Sequence, residues 1–337
     1  VAHVLSGATL VRLVVLIVLT AGLCLQAVAG DLAKRGEESD KAVALLDQMR
    51  SAMSALPYRG IIAYSRDNQV ENIEFVHAVR DGVEHERLVS LNGPMREVIR
   101  RGTEVRCYLH DSKTVLVESK TEGRDLFDLP ANFDQLRPYY EFILGGRDRI
   151  AQRDAQAVAI IAKDDLRYGR RVWVDSESNL PLKVEIIDGS ETVVEQMVFS
   201  SLDLTTPVSA DQLEPASGQG RSDWEKREHI SLPIDSLRWT LQAVPAGFQI
   251  GSFRQIKNAS VGRPVEHLML SDGLASVSVY FDEVGERLVV GQPSSSGAIH
   301  SFSRKIGDFL VTAVGEVPAR SVQAIANGIR YRGSPGS

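Results

Sequence analysis

The side chains able to do chemistry are spread thinly along this chain. Beyond residue 29 the histidines are His77, His85, His110, His229, His267 and His300. They fall in strand and loop patterns, and none has the i, i+4 spacing by which a helix turns two imidazoles toward one zinc ion. No G-x-S-x-G turn is present to raise a nucleophilic serine, and Gly218-Gln219-Gly220 lacks the third glycine of a nucleotide loop. Acidic pairs such as Asp164-Asp165 and Asp282-Glu283 sit between apolar runs, where turns leave carboxylates in water. Cys107 has no cysteine partner beyond residue 29, and alternation places it on the apolar side of its strand with Val105 and Leu109, as a buried thiol. Asn258-Ala259-Ser260 matches a glycosylation acceptor, a triplet common by chance. A triad dispersed in sequence stays open, but no motif supports one. The residues predict a protein that is not an enzyme and holds no metal or cofactor.

Aromatic side chains are the more informative signal. Phe127, Phe133, Tyr139, Tyr140 and Phe142 crowd into one irregular stretch of a chain that is only 6% aromatic. Either they are core that fills an opening in a sheet, or they line a cavity for a lipid or an apolar peptide.

The elements that position them are mostly strands. From Tyr58 to Glu118 apolar and polar residues alternate, as in Ile73-Glu74-Phe75-Val76 and Val105-Arg106-Cys107-Tyr108-Leu109. Asp67-Asn68, Asp81-Gly82, Asn92-Gly93-Pro94, Arg101-Gly102-Thr103 and Asp111-Ser112 interrupt the alternation with residues that tolerate the positive φ of tight hairpins. The prediction is an antiparallel meander with one wet face, curled around something. A helix precedes it: Ala42, Leu45, Leu46, Met49, Ala52, Met53 and Leu56 recur at helical steps behind Ser39 or Asp40 as cap, and Pro57 ends it. A second helix is expected over 134–144, stopped by Gly145-Gly146. Further strands are expected over 155–162, 168–175, 180–187 and 192–199.

Thr, Pro, Ser, Gly and Gln then dominate, giving a linker over 204–222 between a first unit of residues 30–203 and a second of 223–331. In the second unit, Trp239–Val244 and Phe248–Ile256 flank Pro245-Ala246-Gly247 as one hairpin, and His267–Leu270 and Ala275–Phe281 form another around Asp272-Gly273. Phe302–Lys305 and Phe309–Gly315 add strand, Gly291–Gly297 reads as a serine-rich loop, and a closing helix after Pro318 carries Val322, Ile325, Ala326 and Ile329 on one face. The fold class is α+β.

A net charge of −6 over 337 residues argues against a nucleic-acid partner, since no basic stripe offsets it. Residues 1–29 read as a secretory signal: Arg12, an apolar run from Leu13 to Leu25, then Ala27-Val28-Ala29 as a small-x-small cleavage site. The run is short for a span, which takes about 20 residues. Leu23 before Cys24 departs from a lipidation site.

Taken in order, several pieces resemble the MucB/RseB family, periplasmic regulators of the sigma-E envelope-stress pathway in Gram-negative bacteria. They are Tyr58-Arg59-Gly60, Glu86-Arg87-Leu88 with Leu91-Asn92-Gly93, Arg96-Glu97-Val98, and Val172-Trp173-Val174-Asp175 with Leu180-Pro181-Leu182-Lys183. The second unit adds Trp239 with Pro245-Ala246-Gly247-Phe248, His267-Leu268-Met269-Leu270-Ser271-Asp272-Gly273, and Val314-Gly315-Glu316-Val317-Pro318. The resemblance implies a LolA-like antiparallel half-barrel with helices filling its mouth, joined to a smaller antiparallel-sheet domain. It implies a periplasmic negative regulator that binds the periplasmic part of a membrane anti-sigma factor, protects it from stress-triggered proteolysis, and is released by lipid or lipopolysaccharide. On that reading Phe127, Phe133, Tyr139, Tyr140, Phe142, Trp173 and Leu182 line the lipid-accessible side, and Trp224 and Trp239 anchor the partner. A homodimer stays open. The alternative is a periplasmic lipid or lipoprotein carrier that uses the first domain alone.

Overall fold

The computed structural model describes residues 34–119, 130, 132–216, 225–257, 263–284 and 293–333. Phe127, Trp224, the segment 1–29 and Asn258-Ala259-Ser260 lie outside them.

The chain begins with helix α1, residues 34–55, and runs into the expected meander: β1 Tyr58–Arg66, β2 Gln69–Arg80, β3 Val83–Ser90, β4 Arg96–Arg101, β5 Glu104–Leu109 and β6 Thr114–Ser119. Each strand pairs antiparallel with the next, because the tight turns carry the predicted residues at positive φ: Asp67 at 50°, Asn68 at 60°, Asp81 at 52°, Gly82 at 75° and Gly102 at 55°. Then follow β7 Tyr140–Ile150, β8 Arg153–Ala162, β9 Gly169–Asp175, β10 Pro181–Ile187 and β11 Val193–Asp203. Strand β11 returns to pair with β1, so the first sheet runs β7-β8-β9-β10-β11-β1-β2-β3-β4-β5-β6.

One face of that sheet wraps α1. Ala42, Leu46 and Met49 are fully buried against Tyr58, Ile62, Phe75, Val158, Ile160, Val172, Val174 and Phe199. The helix fills the inside of the curved sheet, as its stripe required.

The second sheet runs β12-β14-β15-β16-β19-β18-β17, from β12 Glu225–Ser231, β14 Gln249–Lys257, β15 Pro264–Ser271, β16 Ser276–Glu283, β17 Ser294–Ser296, β18 Ile299–Ile306 and β19 Phe309–Glu316. Helix α2, Ala319–Gly328, buries Val322, Ile325 and Ala326 on it beside Trp239, Phe281 and Val311. A two-stranded ribbon of β13 Trp239–Leu241 and β20 Ile329–Tyr331 closes this domain.

Four expectations are corrected. Residues 134–144 are not a helix: a single 3-10 turn, Phe133–Leu136, leads into β7. Tyr140 and Phe142 are buried while Glu141 is exposed, so the two-residue period governs here, and Gly145-Gly146 forms a bulge rather than a helix stop. Trp239–Val244 does not form a hairpin with Phe248–Ile256, because β13 pairs with β20 and β14 with β12 and β15. The serine-rich stretch contributes β17 to the sheet edge. Finally, the interdomain stretch is not a free linker over 204–216. Val208 and Leu213 pack on Val76 and Ala78, Arg80 Nη2 donates to Val208 O at 2.5 Å, and Ala216 N donates to the buried Glu97 Oε1 at 2.9 Å. The segment crosses the outer face of the first sheet and delivers β12, whose Glu225–Glu228 runs parallel to Thr114–Val117 of β6 while His229–Ser231 pairs with β14.

Candidate functional site at the domain junction

The junction is built by the β15–β16 turn. Asp272, Gly273 and Leu274 reach the first domain, and Leu274, 3% exposed, is part of the first-domain core with Phe133, Leu136 and Tyr140. Asp272 Oδ1 accepts from the backbone N–H groups of Leu274 and Ala275 at 2.9 and 2.7 Å, which fixes the turn. That leaves Oδ2 to face the first domain, where it accepts from Arg167 Nη1 at 2.6 Å and from Tyr140 OH at 2.9 Å. Neither the Arg167 nor the Asp272 side chain has any exposed surface.

Arg167 spends its remaining donors on Ala246 O, at 2.7 Å from Nη2, and on Asp164, at 3.1 Å from Nε. Its guanidinium lies 4.9, 5.6 and 5.3 Å from the ring centres of Tyr139, Tyr140 and Phe248. A charge taken this far out of water is tolerated only when paired and fully hydrogen-bonded. Burial, together with the Asp272 charge beside it, keeps the Tyr140 hydroxyl protonated well above the ordinary tyrosine range, so it acts as a donor.

A second set of contacts flanks this one. Arg170 Nη2 donates to Leu274 O at 2.9 Å and pairs with Glu316 at 3.2 Å. Glu195 accepts from Tyr64 OH at 2.5 Å and from Ala298 N at 2.8 Å, and Asp67 accepts from Gly297 N at 2.8 Å. Ser321 Oγ of α2 donates to Leu166 O at 2.5 Å, and Arg320 pairs with Asp165. The two domains are thus joined by a fully buried centre at Arg167 and Asp272, with more exposed pairs such as Arg320 and Asp165 at its rim.

The predicted site residues divide cleanly. Phe133, Tyr140, Phe142 and Leu182 are at most 2% exposed, as first-domain core or as part of the junction. Tyr139 is half-buried and stacks under Arg167, and Gly247 of the second domain sits against its ring. Trp173 is half-buried on the face opposite Val172 and Val174, with Lys183 Nζ 4.4 Å from its ring centre. Trp239 is fully buried in the second core, stacked 4.4 Å from Phe281, its indole N–H donating to Glu266 at 3.2 Å. The exposed neighbour in that stack is Tyr331, 4.9 Å away. Cys107 is half-buried and forms no disulfide. Among the described residues no cluster of three metal-ligating side chains occurs, and no helix is long and apolar enough to cross a membrane.

Sequence reasoning missed Arg167, Arg170, Leu274 and Glu195. The available signal was weak: Asp272-Gly273 marked a turn, but a turn does not announce what it touches.

Both domains match known family models. Residues 41–217 match the MucB/RseB N-terminal domain, and residues 233–330 match the MucB/RseB C-terminal domain. The chain belongs to the MucB/RseB family. Among its relatives, the sigma-E factor regulatory protein RseB of Escherichia coli K12 is 29% identical over 302 residues, covering 86% of this chain and 90% of that protein. The sigma factor AlgU regulatory protein MucB of Pseudomonas aeruginosa PAO1 is 27% identical over 295 residues, covering 85% and 89%. The crystal structure of MucB in complex with MucA(peri) superposes with a TM-score of 0.69 at 25% identity, over 87% of this chain and 100% of that one. MucB crystallised alone gives 0.63 at 24% identity, over 87% and 98%. The MucB/RseB fold is therefore shared along most of the chain.

Proposed function

We propose that this chain is a periplasmic regulatory binding protein that holds the periplasmic part of a membrane anti-sigma factor, shields it from stress-triggered proteolysis, and so restrains sigma-E-type transcription. The observation that carries this reading is membership of the MucB/RseB family in both domains, together with the MucB relative crystallised on MucA(peri).

Release by a lipid or lipopolysaccharide is part of the same proposal, and the junction supplies its physics. Tyr140 belongs at once to the first-domain core and to the Asp272 contact. An acyl chain entering beside Phe133 and Phe142 displaces Tyr140 and loosens the hold on the second domain. By linkage, a ligand that binds the free form better than the complex weakens partner binding by the same factor. Titration calorimetry of the protein against a purified anti-sigma periplasmic domain, with and without lipopolysaccharide, tests both halves. Expected are a measurable affinity and its loss with lipopolysaccharide. No heat and no co-elution with a folded protein overturns the reading, and an unchanged affinity removes the lipid half.

A further inference from the structure

The second domain carries arginines that no carboxylate answers. Arg238 and Arg320 pair with Glu266 and Asp165. Arg304 of β18, Arg330 of β20 and Arg332 just beyond it are different. Among the described residues none of the three has an acidic partner, and the bonds they make run to neutral oxygens. Arg304 is half-buried, while Arg330 and Arg332 are exposed.

Two of the three meet. Arg304 Nη1 donates to Asn327 O at 3.1 Å, and Arg330 Nη1 donates to the same oxygen at 2.5 Å. Two guanidinium charges are therefore gathered over one carbonyl of an exposed residue. Asn327 lies in the last turn of α2, where the helix dipole offers roughly half an elementary negative charge. One arginine there is an ordinary helix cap, but two exceed what the dipole neutralises, and the remaining charge calls for an anion. Arg332 comes to the same surface. Its Nε donates to Thr240 Oγ1 at 2.7 Å, and Thr240 stands opposite Arg330 in the β13–β20 ribbon. The Nε and Nη2 groups of Arg304 and Arg330 have no acceptor among the described residues, so these donors remain for a ligand.

We propose that Arg304, Arg330 and Arg332, with the Thr240 hydroxyl, form a binding site for a phosphate group. The number of donors selects the ligand. A carboxylate is saturated by one guanidinium fork, whereas a tetrahedral phosphate has oxygens enough to accept from two or three. A free phosphate and a phospholipid headgroup present the same oxygens. The site goes beyond the function proposed above and does not depend on it. It stands toward the far end of α2 from Arg320 and Ser321, which contact the first domain, roughly 10 Å along the helix axis.

The test uses the full chain at fixed ionic strength, with chloride as the background anion. Inorganic phosphate, titrated calorimetrically, is expected to bind saturably in the millimolar range. The double variant Arg304→Gln, Arg330→Gln is expected to bind at least about tenfold more weakly while its circular dichroism stays that of the parent. Arg330→Lys keeps the charge but loses the fork, and is expected to lose part of the affinity. Lys41→Gln removes an equal charge from the exposed surface of α1 and is expected to bind as the parent does. Flotation with phosphatidylglycerol vesicles, against phosphatidylcholine as reference, separates the two sources. Retention that the double variant loses assigns the phosphate to a lipid headgroup, and phosphate binding without retention assigns it to a free phosphate. Failure of the folded parent to bind either probe, or binding that the double variant keeps at full strength, overturns the site and leaves the proposed function standing.

Discussion

Asp175 and Arg167 show how single side chains are committed here. Asp175, 1% exposed, accepts from Arg153 Nε at 3.0 Å and Nη2 at 2.9 Å, and from Ser178 N at 2.9 Å. Burial alone would raise its carboxyl, but the hydrogen bonds from Arg153 and Ser178 outweigh it and hold the group below its ordinary value. A folded-state pKa depressed in this way contributes stability above the unfolded value, near about 3.9, and that contribution fades as pH falls through the folded value. The stability difference between the parent and Asp175→Asn, measured by urea unfolding, should therefore be largest at neutral pH and shrink below about pH 4. Arg167 is the harsher case. Asp272→Asn removes the fully buried one of the two carboxylate partners of Arg167, leaving only the part-exposed Asp164, and should cost about 3 kcal/mol in the same assay. Neither outcome depends on what the protein binds.

At the scale of elements, the stripe on α1 was legible because a helix buries every third or fourth residue whatever the rest of the fold does. Leu46→Ala, at a fully buried position on that stripe, should destabilise by about 2–5 kcal/mol in a denaturant melt. The meander was equally legible from Asp67-Asn68, Asp81-Gly82 and Gly102, since local φ preference fixes a hairpin locally. Tyr139–Leu144 misled because two tyrosines and a phenylalanine at short spacing fit a short helix and an edge strand alike, and only pairing with β8 decides between them. Trp239 misled for a similar reason: Pro245-Ala246-Gly247 does turn, but its Gly247, at φ 89°, serves the junction with Tyr139 rather than a hairpin. A Cβ at Gly247 would stand 2.5 Å from the Tyr139 ring and would strain the backbone as well. Gly247→Ala should therefore loosen the junction while each core stays folded. Small-angle scattering would show that as a larger radius of gyration at unchanged secondary structure.

For the molecule as a whole, the junction argues that the domains work as a pair. Removing residues 225–333 takes Leu274 out of the first core and strips Arg167 of its bonds to Asp272 and Ala246. The isolated first domain should then be markedly less stable in urea unfolding than the same domain within the full chain, because the face that held Leu274 is open to water. A carrier that needs only its first domain would show no such dependence. From sequence alone came the α+β class, the strand-by-strand order of most of the first sheet, the α1 stripe, the lack of catalytic motifs and the resemblance to MucB/RseB proteins. These rest on periodicity, turn chemistry and ordered local pieces, all of which are written within short windows of the chain. Tertiary structure decided the rest. It joined Arg167 to Asp272 across 105 residues, divided β12 between two sheets, and set Phe133 and Tyr140 in core and junction. The reason is physical: periodicity says which face a side chain takes, but a buried charge or an open strand edge must find its partner in space, and sequence separation does not encode that distance.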